Sequence, residues 1–225
     1  MQGNPLLRPE MNHDVSFAAV WKFIQAGVSY QVVKNAILHS ATAAENNSNV
    51  IRIYYDNFDK KIPTMQAMIA ATPTIGIWNP RLTLAIIKQW LTMDSIDGTV
   101  HLNQPIPVVQ LSNTLVLPKG FMINADYAFQ GKGDSRVYHM MKPTHNLNAS
   151  VRKAFLKNSL TVEVFANDIL DGNVVLMRMY SSSYSLKQWS KISMPTYGVT
   201  LRYNFNTAQS KYKGTGAGKS QKDRM

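Results

Sequence analysis

The chain has 225 residues, 24 Lys+Arg against 13 Asp+Glu for a formal net charge of +11, and no cysteine. That length suits one domain or part of a large one, and the missing cysteine excludes thiol catalysis, thiolate metal sites and disulfides. No apolar run of about 18 residues exists, which excludes a membrane helix but not membrane strands, where only every second residue meets lipid.

Residues 1–10 show no basic stretch followed by an apolar core, so no signal peptide is expected there. A first strand is expected from Asn12 to Trp21, with Val15, Phe17, Ala19 and Trp21 on one face. The next begins near Phe23: Ile24, Ala26, Val28, Tyr30 and Val32 alternate with Gln25, Gly27, Ser29 and Gln31. Leu38 to Asn49 is small and polar and reads as a loop. From Val50 to Trp78 the alternation runs through Ile51, Ile53 and Tyr55, breaks at Asp56–Lys61 and resumes, with Pro63 and Pro73 weakening it. Asn79-Pro80 reads as a turn, and Leu82, Leu84 and Ile86 open another strand.

Asp94 to Gln104 reads as a second polar loop. Val109, Leu111, Leu115 and Leu117 then alternate with Gln110, Ser112, Thr114 and Val116. Pro118-Lys119-Gly120 is a tight turn, because proline presets the first dihedral and glycine relieves the last position. Phe121, Ile123, Ala125, Tyr127 and Phe129 follow on one face, and Gly131–Asp134 is a loop. Leu147, Ala149 and Val151 oppose Asn146, Asn148, Ser150 and Arg152; after a turn at Lys157-Asn158, Leu160, Val162, Val164 and Ala166 alternate again. Tyr197, Val199, Leu201, Tyr203 and Phe205 close the pattern, interleaved with Gly198, Thr200, Arg202 and Asn204.

These add up to an all-β, antiparallel transmembrane β-barrel, partial, of about eleven strands. Short turns alternate with longer polar loops, and the strands exceed the usual sandwich length of about 5–6 residues. Aromatics at strand ends (Trp21, Tyr30, Trp78, Trp90, Tyr203, Phe205) fit interfacial girdles. Gln25, Gln31, Asn124, Asp126, Asn148, Arg152, Glu163, Arg202 and Asn204 would line a wet lumen, with Arg152 and Glu163 placed for a cross-strand ion pair.

No catalytic constellation emerges, and no cofactor is expected. His13, His39, His101, His139 and His145 show no metal-ligand spacing. Asp168 and Asp171 read as turn formers rather than a carboxylate pair. Gly214–Ser220 superficially suggests a phosphate loop, but Lys213 stands where the first glycine belongs. There is no Gly-x-Ser-x-Gly elbow around the serines.

Three segments resemble the C-terminal half of the barrel of TonB-dependent outer-membrane receptors, of the Bacteroidota-type outer-membrane β-barrel family. Gly3-Asn4-Pro5-Leu6-Leu7-Arg8-Pro9-Glu10 resembles a mid-barrel segment, with arginine where lysine is usual. Lys153-Ala154-Phe155 through Asn167-Asp168-Ile169-Leu170 resembles a strand followed by N-D-I-F, with leucine for phenylalanine. Tyr197 to Asn206 and the basic, glycine-rich stretch after it resemble the terminal strand and tail.

The resemblance implies a barrel segment over residues 1–206 and a flexible basic tail over 207–225, in the outer membrane of a Gram-negative bacterium. It implies uptake of a large nutrient (glycan, peptide or metal chelate), with the N-terminal plug and the remaining strands of a barrel of about 22 strands missing. It further implies outer-membrane lipid, the barrel-assembly machinery and a surface lipoprotein as partners, with Tyr203 and Phe205 as the assembly signal. Two other readings stand beside it: a self-sufficient small barrel acting as a passive pore or adhesin, and a soluble basic β protein binding nucleic acid. The alternating aromatic faces argue against the soluble reading, so no nucleic-acid partner is expected.

Overall fold

A sequence that alternates apolar and polar side chains over many residues has two destinations for its two faces, and strands of one such register pair side by side. A computed structural model describes residues 4–44 and 47–205; the expected tail at 207–225, with its glycine-rich run, lies outside the described residues. β1 (Met11–Trp21) and β2 (Ile24–Lys34) form a hairpin through Lys22 and Phe23. β3 (Ala36–Ala44) and β4 (Asn47–Phe58) pair with each other, and β5 (Ile62–Ala71) returns beside β2. β6 (Trp78–Gln89) follows, then the small hairpin β7 (Leu91–Ser95) and β8 (Gly98–Leu102). β9 (Ile106–Leu117) and β10 (Phe121–Gln130) come next, then β11 (Gly133–Ser135) and β12 (Tyr138–Met140). β13 (Thr144–Phe155), β14 (Leu160–Asn167), the hairpin β15 (Val174–Tyr180) and β16 (Ser185–Lys191), and β17 (Thr196–Tyr203) complete the order.

Nine of these strands form one antiparallel sheet in the order β1-β2-β5-β6-β9-β10-β13-β14-β17. Short turns join its strands at one end. Each connection at the other end carries an extra hairpin: β3–β4, β7–β8, β11–β12 or β15–β16.

Register aligns the expected apolar sets of these nine strands on one face of the sheet, while Ile51, Ile53 and Tyr55 lie on β4 outside it. Starting from Trp21, cross-strand partners run Ile24, Ala71, Leu82, Leu111, Tyr127 and Leu147. That row begins at the short-turn end of β1 and reaches the hairpin end of β13, so the strands are sheared as barrel walls require. The face is uncovered: Phe17 is 68% exposed and Leu201 70%.

The packed core lies elsewhere. Val33, Leu38, Ile62, Leu91, Met93, Leu102, Val137 and Met179 are buried together where the hairpins meet the strand ends. Each such side chain contributes about 1.5–3 kcal/mol on full burial, so the cap holds itself together while the wall presents both faces outward.

Several expectations need correction. Among the described residues there are seventeen strands rather than about eleven, because nine form the main sheet and eight more form four hairpins, two of them in the stretches read as polar loops. Leu38–Asn49 belongs largely to β3 and β4, and Asp94–Gln104 largely to β7 and β8. These hairpins pack on one another instead of separating lipid from water, so their faces do not alternate cleanly. β4 also runs through Asp56 to Phe58, and Gly133-Asp134 lies in β11 rather than in a loop.

Asn79-Pro80 lies inside β6, where Pro80 faces Asn113; the reversal is made earlier, with Gly76 at φ +59° and Ile75 bridged to Trp78. Pro63 sits near the start of β5, a position where a missing N–H is tolerated, and its carbonyl accepts from the Trp90 N–H. The turn at Pro118-Lys119-Gly120 forms as expected, with Lys119 and Gly120 at positive φ. β17 ends at Tyr203, so Phe205 stands beyond the strand, edge-on to the Tyr203 ring at 4.7 Å.

Candidate functional site: the polar face and the hairpin end

The residues between the apolar ones share the opposite face of the nine-stranded sheet. Gln25 pairs in register with Val20 and Ala70, and Gln31 with Asp14 and Thr64; the Gln31 amide reaches Asn12 Oδ1 at 3.5 Å. Asn124 is the middle of a three-strand rung: Thr114 Oγ1 donates to its Oδ1 (3.0 Å), and its Nδ2 donates to Ser150 Oγ (3.3 Å). Asp126 lies between Ser112 and Asn148. Arg202 faces Thr161, and Asn204 follows β17, its N–H donating to the Ser159 carbonyl. Arg152 and Glu163 stand directly opposite each other, but among the described residues they make no ion pair within 4.0 Å. Phe165 puts an aromatic ring on this face. A Cβ on its register partner Gly198 would lie 2.5 Å from the phenyl Cζ, so the ring covers the bare glycine.

Asn148 has a second task. Its Oδ1 accepts the Asp168 N–H at 2.9 Å. Asp168 is only 1% exposed and adopts φ +50°, so the turn expected there exists and its carboxylate is enclosed. One oxygen accepts the Gly172 N–H (3.2 Å) and the other the Ser193 hydroxyl (2.7 Å), joining both ends of the β14–β17 connection. The same connection carries the Lys191–Asp171 ion pair, 2.6 Å apart.

At the hairpin end, two polar side chains that sequence reasoning did not single out tie the cap to the sheet. Gln89 is buried at the end of β6; its Nε2 donates to the carbonyls of Leu102 and Arg136, and its Oε1 accepts the Arg136 N–H. Glu10, just before β1, accepts the Ile37 N–H at 2.9 Å, while the two terminal nitrogens of Arg136 reach its two oxygens at 3.2 Å each. Burial pushes the Glu10 carboxyl up, but the Ile37 N–H and the Arg136 guanidinium outweigh it and hold it below the usual carboxylate range.

A lowered carboxylate contributes stability that is fully present above its unfolded value and is lost as pH falls through the lower folded value. Hydrogen exchange should therefore find the Ile37 amide still protected at a pH where an ordinary glutamate is half protonated. Its protection should fall only below that. Loss of protection at the ordinary glutamate value would contradict this assignment.

Besides a smaller one of about 170 Å³ lined by Gln31, Gln89 and Arg136, two concavities open near this end. One, of about 320 Å³, lies where all four hairpins converge. Leu38, Met93 and Val137 floor it, and Asp56, Asp59 and Asp94 stand at its rim. Beside it His39 Nδ1 and the Tyr138 hydroxyl are 2.8 Å apart; burial, then the nearby Tyr55, pushes the Tyr138 phenol up. The other, of about 210 Å³, is a dent near the hairpin ends of β9, β10 and β13. Among the described residues no group of three or more His, Asp or Glu could hold a metal ion.

A family model described as "Outer membrane protein beta-barrel family" matches residues 1–205. No curated protein and no solved structure matches the chain.

Proposed function

The chain belongs to the outer membrane protein β-barrel family, and from that premise we propose that it is the C-terminal barrel wall of a TonB-dependent-receptor-like uptake protein. Membership places it in the outer membrane of a Gram-negative bacterium. The proposed cargo is a large nutrient: a glycan, a peptide or a metal chelate.

The observation that carries this reading is the polarity of the sheet edges. β1 and β17 stand at opposite ends of the strand order, and both run from the hairpin end to the short-turn end. Closing them on each other would make a parallel pair, whereas bacterial barrels are antiparallel with an even strand count. In lipid, an open edge would leave a row of unpaired backbone groups, each costly. The sheet therefore reads as part of a wider wall, as the resemblance to receptor barrels implies. A self-sufficient small pore has no comparable support.

In this reading the apolar face meets lipid. Gln25, Gln31, Asn124, Asp126, Asn148, Arg152, Glu163, Arg202 and Asn204 border the lumen, where they meet a plug or a passing solute. Tyr203 and Phe205 serve as the signal to the barrel-assembly machinery, and the hairpins face outward, where a surface lipoprotein can dock.

Uptake in cells with and without a protonophore tests the proposal. Deleting the gene should abolish growth on one solute class as sole source, and collapse of the proton gradient should stop uptake in the parent. Uptake that persists in de-energised cells would identify a passive pore and sink the receptor reading.

A further inference from the structure

We propose that the dent near the hairpin ends of β9, β10 and β13 is a subsite for a neutral, polyhydroxylated solute, a segment of a glycan. The inference rests on the uptake reading and narrows its cargo.

Register builds the dent. Ala128 on β10 lies between Gln110 on β9 and Asn146 on β13, so a methyl group sits between two carboxamides and leaves space above it. Gln130 and Thr144 pair across the next polar-face row, at the end of β10 and the start of β13. Asn173 reaches the rim from the β14–β15 connection and is held there by its bond to Ser193 Oγ at 2.9 Å. A solute entering from the hairpin end would meet this place before the rest of the polar face.

The lining chemistry is selective. It contains no Asp, Glu, Lys or Arg. Its one titratable group is His145, whose ring is pressed against Gly172: a Cβ there would lie 2.7 Å from Nε2. A charged peptide or an anionic metal chelate finds no counter-ion here. Carboxamides both donate and accept, which matches hydroxyl groups that do the same.

Asn146 adds a specific demand. Its Oδ1 is buried and has no hydrogen-bond partner among the described residues. Buried acceptors are nearly always paired, and Asn146 lines the dent, so its carboxamide has only to turn to offer this acceptor to a donor from outside the chain. A site built around such a group favours ligands that carry the matching hydroxyl and rejects those that lack it.

The test uses the protein extracted from its own outer membrane, in detergent micelles, by calorimetry. The probes are a panel of neutral oligosaccharides, with a lysine-rich peptide and a ferric chelate as counter-probes. Wild type should bind a member of the neutral panel. Asn146→Leu and Ala128→Leu should each weaken binding by about tenfold or more, as expected for one lost buried hydrogen bond or a filled site. If Ala128→Leu does not assemble, as judged by its heat-modifiable gel mobility, Gln110→Ala replaces it. No binding across the neutral panel, preference for a counter-probe, or unchanged affinity in the assembled variants would overturn the proposal. Binding in micelles needs no energy source. Intact binding with protonophore-insensitive uptake would therefore sink the receptor reading alone, and energised uptake of another solute class without oligosaccharide binding would sink this one alone.

Discussion

Leu84→Arg is expected to remove about 2–4 kcal/mol of stability from the assembled protein, the penalty for a cation on a lipid face near mid-membrane. Leu84 belongs to the uncovered apolar face, between Ile69 on β5 and Val109 on β9, near the middle of β6. The matched control is Thr83→Arg, the preceding residue on the opposite face, which should change stability little. Heat-modifiable gel mobility and a urea unfolding series in lipid vesicles would measure both. Equal sensitivity at the two positions would mean that the faces are not divided between lipid and water, and would undo the membrane assignment of this sheet.

Asp168→Ala should be the most damaging polar substitution, by about 2 kcal/mol or more, because it strands two half-buried donors at once. The Gly172 N–H and the Ser193 hydroxyl both lose their acceptor, and neither has a second one among the described residues. Asp168→Asn keeps one acceptor oxygen and should recover part of the loss. The expected readout is local: hydrogen exchange should rise over the connection while β9 and β10 stay protected. Uniform loosening of the whole sheet would instead mean that Asp168 governs assembly rather than this one connection.

The nine wall strands were legible because each separates two media. Where one side chain in two meets an apolar environment and the other a polar one, as in β2 or β10, the period of two is written directly into the residues. Apart from β4, where Ile51, Ile53 and Tyr55 alternate, the hairpins were not legible for the same reason reversed. In β3, Ala36, Leu38 and Ala41 are all buried although their spacing is irregular, because neighbouring hairpins cover both sides. β15 reads Val174-Val175-Leu176-Met177 with no alternation at all.

The turn at Asp168–Gly172 could be read from its Asn, Asp and Gly content, but the burial of its carboxylate depends on Ser193, 25 residues away, and no local signal announces that. Gln89 and Glu10 escaped notice likewise: each acts through partners on other hairpins. The Gln110–Ala128–Asn146 row needed the register of three strands, although each residue had already been sorted to the polar side or left beside it.

The common direction of β1 and β17 also constrains stoichiometry. Copies of this sheet inserted the same way across a membrane would meet β17 to β1, two strands running alike, at every junction. The mismatch does not depend on how many copies join, so no homo-oligomeric ring of the described strands can be antiparallel throughout. An antiparallel closure requires an odd number of further strands, drawn from polypeptide outside these nine, whose first and last members both run from the short turns toward the hairpins. A closed antiparallel barrel that contains this wall is therefore no ring of identical nine-strand copies.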